Sequence, residues 1–135
     1  MRVFLDTNVL VSAFASRGLC AEVLELVLLD HDLILGLNVL REFEKALREK
    51  VKLPVVHSAE IIDFVASEAI QVVDKAEPAI AEVDAADALV LGAALAGQAE
   101  LFVTGDAALQ RLATLDALRI VSPRQFWEVL RASNA

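Results

Sequence analysis

Thiols, histidines and basic side chains are scarce in this chain, and each scarcity removes a class of chemistry. Cys20 is the single cysteine, which excludes an internal disulfide and a cysteine-built metal site and agrees with a reducing compartment. It reads as a small, semi-buried hydrophobe on a helix. His31 and His57 lie in separate polar connections with no second histidine at ligand spacing, so neither is assigned a catalytic role. No Ser, Cys or His is placed to act as a covalent nucleophile. Lys and Arg number 12 against 20 Asp and Glu, a net charge of −8. That balance speaks against a broad electrostatic grip on nucleic acid and against anionic membranes, while leaving room for a local basic rim. It fits equally well a carboxylate-rich cation site or a basic partner that covers the protein, and composition does not choose between them. No apolar run approaches the ~18 residues of a membrane span, and the N-terminus has no signal-peptide layout. A cytoplasmic protein without membrane partners is the expectation.

What is present is a well-filled core for one domain over residues 1–135, with 57% hydrophobic content. Val3-Phe4-Leu5 is a β-prone run without polar interruption, the pattern of a strand buried on both faces of a parallel sheet. Leu33-Ile34-Leu35, Ile70 to Val73, Leu101-Phe102-Val103 and Arg119-Ile120-Val121 repeat it. Between them the periodicity predicts helices over Thr7 to Ala15, Leu19 to Leu29, Leu37 to Lys50 with Asn38 as N-cap, and His57 or Ser58 to Ala69. Further helices follow from Asp84 to Leu95, Ala107 to Ala113 and Gln125 to Arg131, with Phe126, Trp127 and Leu130 packing onto the sheet. Parallel neighbours need such crossovers. The expected fold class is α/β, a three-layer α/β/α sandwich around a mostly parallel five-stranded sheet.

The acids are the informative residues. Asp6 closes the first strand at its carboxyl end, the edge where ligands and catalytic groups collect in open α/β sheets. Taken alone it reads slightly better as a helix cap. Asp106 repeats the placement after Leu101-Phe102-Val103-Thr104-Gly105, again at the mouth of a helix. Asp84 is a natural N-cap, and Asp87, three residues on, gains from the helix dipole. Asp87 also shares a stripe with Leu91 and Ala94 and so points inward, where a carboxylate needs a charge partner or a cation. Glu42 lies in the first turn of its helix, about a third of a circle from the core stripe of Leu40, Phe43 and Leu47 at ~100° per residue. Arg41, Lys45 and Arg48 form another side of that helix, either a solvated face or a phosphate-contacting rim. Carboxylates crowded at one edge repel one another unless a hard divalent cation, Mg²⁺ or Mn²⁺, takes their oxygens. Such a site suits phosphodiester hydrolysis by metal-activated water.

With Val3-Phe4-Leu5-Asp6-Thr7-Asn8-Val9-Leu10, Leu40-Arg41-Glu42-Phe43, Asp87-Ala88-Leu89-Val90-Leu91 and Leu101-Phe102-Val103-Thr104-Gly105-Asp106 in order, the sequence resembles the PIN-domain ribonucleases. It is most similar to the VapC-like toxin components of toxin–antitoxin modules, from about Arg2 to about Leu130. The resemblance implies a metal-dependent endoribonuclease that cuts RNA, with Asp6, Glu42, Asp87 and Asp106 as the catalytic, Mg²⁺- or Mn²⁺-binding acids. Asn8 and Thr104 would steady them by hydrogen bonds, with Asp84 secondary. It further implies a cognate antitoxin protein and a homodimer. Glu42 owes its assignment almost wholly to this resemblance. One departure stands out: relatives often carry a further acid two residues after the last aspartate, where this chain has Ala108, which puts a second metal and full activity in question.

Two kinds of rival compete. A noncatalytic or degenerate α/β module could serve in interaction or RNA binding, or as a phosphate-accepting receiver. The receiver wants paired acids at the first strand end and a lysine after the last strand, where Ser122-Pro123-Arg124 supplies none. A haloacid-dehalogenase-type phosphatase wants an acid two residues after Asp6, where Asn8 stands.

Overall fold

The computed structural model describes residues 1–133. In chain order its elements are β1 (Arg2–Leu5), α1 (Thr7–Ala15), α2 (Leu19–Asp30), β2 (Asp32–Gly36), α3 (Leu37–Glu49), α4 (Val55–Glu68), β3 (Gln71–Val73), α5 (Ala85–Ala96), β4 (Leu101–Val103), α6 (Ala107–Gln110), β5 (Thr114–Leu115), β6 (Leu118–Val121) and α7 (Pro123–Ser133). The sheet order is β3-β2-β1-β4-β6-β5. All neighbours are parallel except β5, which runs antiparallel to β6. The result is an α/β/α-layered domain, as the alternating pattern predicts.

The central strands are buried as expected of apolar runs covered on both faces. Val3, Phe4, Leu5, Ile34, Leu35, Phe102 and Val103 are all inaccessible to solvent. Phe4 and Phe102 lie opposite one another in the β1–β4 register and stack with ring centroids 5.3 Å apart. α5 packs on β2 and β3, while α1, α2, α3, α4 and α7 make a continuous series of helix–helix contacts. The loop before α5 is pinned by the amide of Ala79, which donates to the Ala88 carbonyl at 2.8 Å. A side chain at Gly92 would overlap the Glu77 carbonyl oxygen, so only glycine lets that loop lie against the helix.

Four local expectations need correction. The sheet has six strands rather than five, because α6 stops at Gln110 and the chain folds back as β5. Ala113 and Asp116 adopt left-handed φ of 59° and 52° to make that reversal. Neither is a glycine, so the turn carries no sequence signal. Asn38 is not the cap of α3: Gly36 holds that position, and Asn38, inside the helix, accepts from the Val39 amide at 2.9 Å. α4 begins at Val55 directly after Pro54 rather than at His57 or Ser58. Phe64, assigned to the apolar side of that helix, is 46% exposed, while Val65 fills the core position. At the other end Pro123 opens α7; Phe126 and Leu130 are buried, and Trp127 is half-buried beneath the Arg131 guanidinium, 4.6 Å from its ring centroid.

Candidate active site

The strand order reverses between β1 and β4, with β2 and β3 on one side and β6 and β5 on the other. Helices cannot close the crevice beyond the carboxyl ends at such a switch point, so it stays open to a ligand. Leu5 pairs with Val103 there, which makes Asp6 and Thr104 the first residues past the two strand ends. Their backbones remain tied to the sheet: the Asp6 amide donates to Val103 O and the Thr104 amide to Val121 O, both at 3.0 Å.

Asp6 is almost fully buried, and its carboxylate is held from three sides. The Thr104 hydroxyl donates to Oδ2 at 2.7 Å, the Thr7 amide to Oδ1 at 2.8 Å and the Asn8 side-chain amide to Oδ2 at 3.3 Å. Asn8 is fixed in turn by accepting from the Gly105 amide at 2.9 Å, and its Nδ2 lies 3.5 Å from the Thr104 hydroxyl. Thr104, wholly buried, also accepts from the Asp106 amide at 3.0 Å, and Gln110 donates to its carbonyl at 2.8 Å. Asp106 caps α6, Oδ1 accepting from the amides of Ala108 and Leu109 at 2.8 and 3.3 Å. The capping reading of both aspartates is therefore correct as far as it goes. Each cap uses Oδ1, while Oδ2 of Asp6 faces the Thr104–Asn8 pair.

A cavity of about 400 Å³ gathers Asp6, Glu42, Asp87 and Asp106, with Thr7, Asn8, Ser12 and Lys50 among its other walls. Glu42 enters from the exposed side of α3 and accepts from the Thr7 hydroxyl at 3.2 Å. Asp87 sits in the first turn of α5, where its amide donates to the capping Asp84 carboxylate at 2.8 Å. Asp84 itself is exposed and acts here through that cap and through its charge. The electrostatics record the crowding. Burial raises the Asp6 carboxyl above its ordinary value against the opposing hydrogen bonds of Thr104 and Thr7, and Glu42 and Asp106 push it the same way. Asp87 is pushed up to about 6 by burial and by the charges of Asp84, Asp106 and Asp6.

The oxygen donors match a hard divalent cation in kind. Among the described residues, however, no group of three His, Cys, Asp or Glu side chains is gathered closely enough to hold a metal ion as placed. The basic trio of α3 is divided. Lys45 lines a groove that shares Thr7 and Glu42 with the acid cavity, Arg41 lines a separate cavity with Asp74 and Lys75, and Arg48 pairs with Glu44 at 3.5 Å. Lys50 was not singled out by sequence reasoning. The available signal was its position two helical turns beyond Glu42: Glu42, Ala46 and Lys50 line the cavity at i, i+4 and i+8.

Residues 2–108 match the family model for the PIN domain. No curated protein matches the sequence. Among solved structures, the chain resembles VapBC2 from Rickettsia felis bound to a DNA fragment from their promoter, with a TM-score of 0.65 and 16% identity over 90% of this chain and 98% of that one. It resembles VapBC-1 from nontypeable Haemophilus influenzae with a TM-score of 0.65 and 17% identity, over 92% of this chain and 99% of that one. At these identities the likeness establishes the shared fold. No helix among the described residues is long and apolar enough to cross a membrane.

Proposed function

Since the chain belongs to the PIN-domain family, we propose that it is a Mg²⁺- or Mn²⁺-dependent endoribonuclease and the toxin of a toxin–antitoxin module. The observation that carries the reading is the convergence of Asp6, Glu42, Asp87 and Asp106 on one open cavity at the switch point. Two of these acids have raised pKa values, caused by burial and by their mutual repulsion. A cluster that resists ionising together is one that a divalent cation would relieve.

In this reading Asp6, Asp106, Asp87 and Glu42 would hold the cation. A bound Mg²⁺ or Mn²⁺ would supply an activated water and charge neutralisation at the phosphate. The chain's own contribution is positional. Thr104 and Asn8 fix the Asp6 carboxylate, the α6 amides fix Asp106, and Thr7 ties Glu42 to the N-terminus of α1. The likeness to VapBC assemblies supports a cognate antitoxin as protein partner; a homodimer is part of the same proposal and rests on the family resemblance alone. A noncatalytic, degenerate PIN module is the second reading. It is favoured by Ala108 and by the acids standing apart as placed.

RNA cleavage by the purified chain tests the choice. Cleavage with Mn²⁺ that EDTA stops, and that Asp6→Asn and Asp106→Asn abolish, is the expected result. Cleavage that survives the chelator and both substitutions would overturn the metal mechanism. A folded parent that never cleaves supports the degenerate reading.

A further inference from the structure

A groove of about 370 Å³ runs beside α3, lined by Thr7, Glu42, Lys45, Ala46, Glu49 and Lys50. It is continuous with the acid cavity, because Thr7, Glu42, Ala46 and Lys50 line both. α1 and α3 pack against each other here, so helical side chains rather than loops form its walls. Among the described residues Lys50, the C-cap of α3, is the one cation on the wall of the acid cavity, and Lys45 lines the groove but not that cavity. Among the described residues neither lysine makes an ion pair, whereas Arg48, which lines neither, is held by Glu44.

An acidic protein that binds a polyanion needs local cations at the site to offset its overall repulsion. Two unpaired ammonium groups leading away from a carboxylate cluster supply that in a directional way. An ammonium on a flexible stem contacts phosphate as a point charge, without reading base identity. Resting on the nuclease reading, we propose that this groove is the track of a single-stranded RNA backbone on one side of the scissile phosphate. Lys50 binds the adjoining phosphate and Lys45 one further along. Arg41, opening into a different cavity, and Arg48, held by Glu44, lie off this track. Lys50 is thereby a substrate-positioning residue, and the contact is independent of base sequence.

The test is binding of a short, fluorescently labelled 2′-O-methyl oligoribonucleotide to the full chain across a salt series, beside Mn²⁺-dependent cleavage of the unmodified RNA. Lys50 is exposed, so Lys50→Ala leaves the fold intact. The expected result is several-fold weaker binding, with the slope of log affinity against log salt reduced by ~0.7, the value of one phosphate contact on a single strand. In cleavage, KM rises with kcat little changed, and Lys50→Arg recovers most of the loss. Lys45→Ala acts in the same direction and more weakly, and Arg48→Ala leaves the slope unchanged. An unchanged slope for Lys50→Ala while the parent still cleaves overturns the track alone. So does an Arg48→Ala effect as large as that of Lys50→Ala, or unchanged RNA affinity with tightened Mn²⁺ binding, which makes Lys50 a counter-ion of the acids. A folded parent that neither binds nor cuts RNA overturns both the track and the nuclease reading.

Discussion

Replacing Thr104 by valine removes one oxygen and keeps the shape of a wholly buried side chain. That oxygen donates to Asp6 Oδ2 at 2.7 Å and accepts from the Asp106 amide at 3.0 Å, so one atom supports both strand-end acids. A hydrogen bond to a charged group contributes ~1.5–3 kcal/mol. Water entering the open cavity takes up part of the loss at the Asp106 amide. The net expectation at neutral pH is a loss of about 2–3 kcal/mol, which in a domain of this size corresponds to roughly 8–12 °C in Tm. The pH dependence distinguishes this cause from generic core damage. The Thr104 hydroxyl is the largest influence that lowers the pKa of Asp6, against the burial that raises it, so the substitution moves that pKa further up. Its cost is therefore full where Asp6 is ionised and shrinks as pH falls through the folded pKa, because a protonated carboxyl no longer needs the donor. Urea unfolding at neutral and at acid pH measures both limits. Thr104→Ser keeps the hydroxyl and should lose only the ~1 kcal/mol of a buried methyl group. Equal losses for Thr104→Val at both pH values, or losses equal to those of the serine variant, would refute the assigned role.

Asp87 gives a second pH-dependent test. Its folded pKa of about 6 lies above the ordinary 3.8, so the folded state binds more protons between these values and its stability falls as pH rises through that window. Asp87→Asn should accordingly stabilise the metal-free protein at neutral pH by about 1 kcal/mol after solvent screening. The gain should fade below pH 3.8, and thermal melts in EDTA across pH check it. Cation affinity of the parent should fall on acidification through about 6 as Asp87 takes up its proton; calorimetry at two pH values measures the change. Ala113 holds a φ of 59°, a conformation that costs an L-residue ~1 kcal/mol. Ala113→Gly should raise stability by up to that amount, read as an increased urea midpoint with an unchanged m-value.

Much of this architecture was legible because the informative signals were local. Uninterrupted runs such as Val3 to Leu5 and Leu101 to Val103 announce buried parallel strands, and an aspartate directly after the first and three residues after the second announces the edge at which they emerge. The reading of Asp87 as facing the protein comes from its stripe with Leu91 and Ala94, both buried in the fold; Asp87 itself is half-buried on the cavity wall. What stayed illegible depends on tertiary geometry. The β5 hairpin forms through left-handed Ala113 and Asp116 without glycine, stabilised by pairing with β6 that no local pattern encodes. The basic trio looked uniform on a helical wheel. Its members separate only once β3, α1 and the loop before α5 are placed around α3, because those neighbours decide which cation faces which cavity. Lys50 escaped notice because it lies at the end of its helix, two turns from Glu42, and gains meaning only from the pocket they share.

The central claim of the proposal is that four carboxylates at the switch point act together in binding divalent metal. Titration calorimetry of Mn²⁺ into the purified full chain, beside Asp6→Asn and Asp106→Asn, tests it most directly. The account predicts saturable binding to the parent, release of protons as the raised carboxyls ionise, and loss of that binding in each variant. Absence of saturable Mn²⁺ binding by the folded parent, or equal affinity in all three proteins, would contradict it.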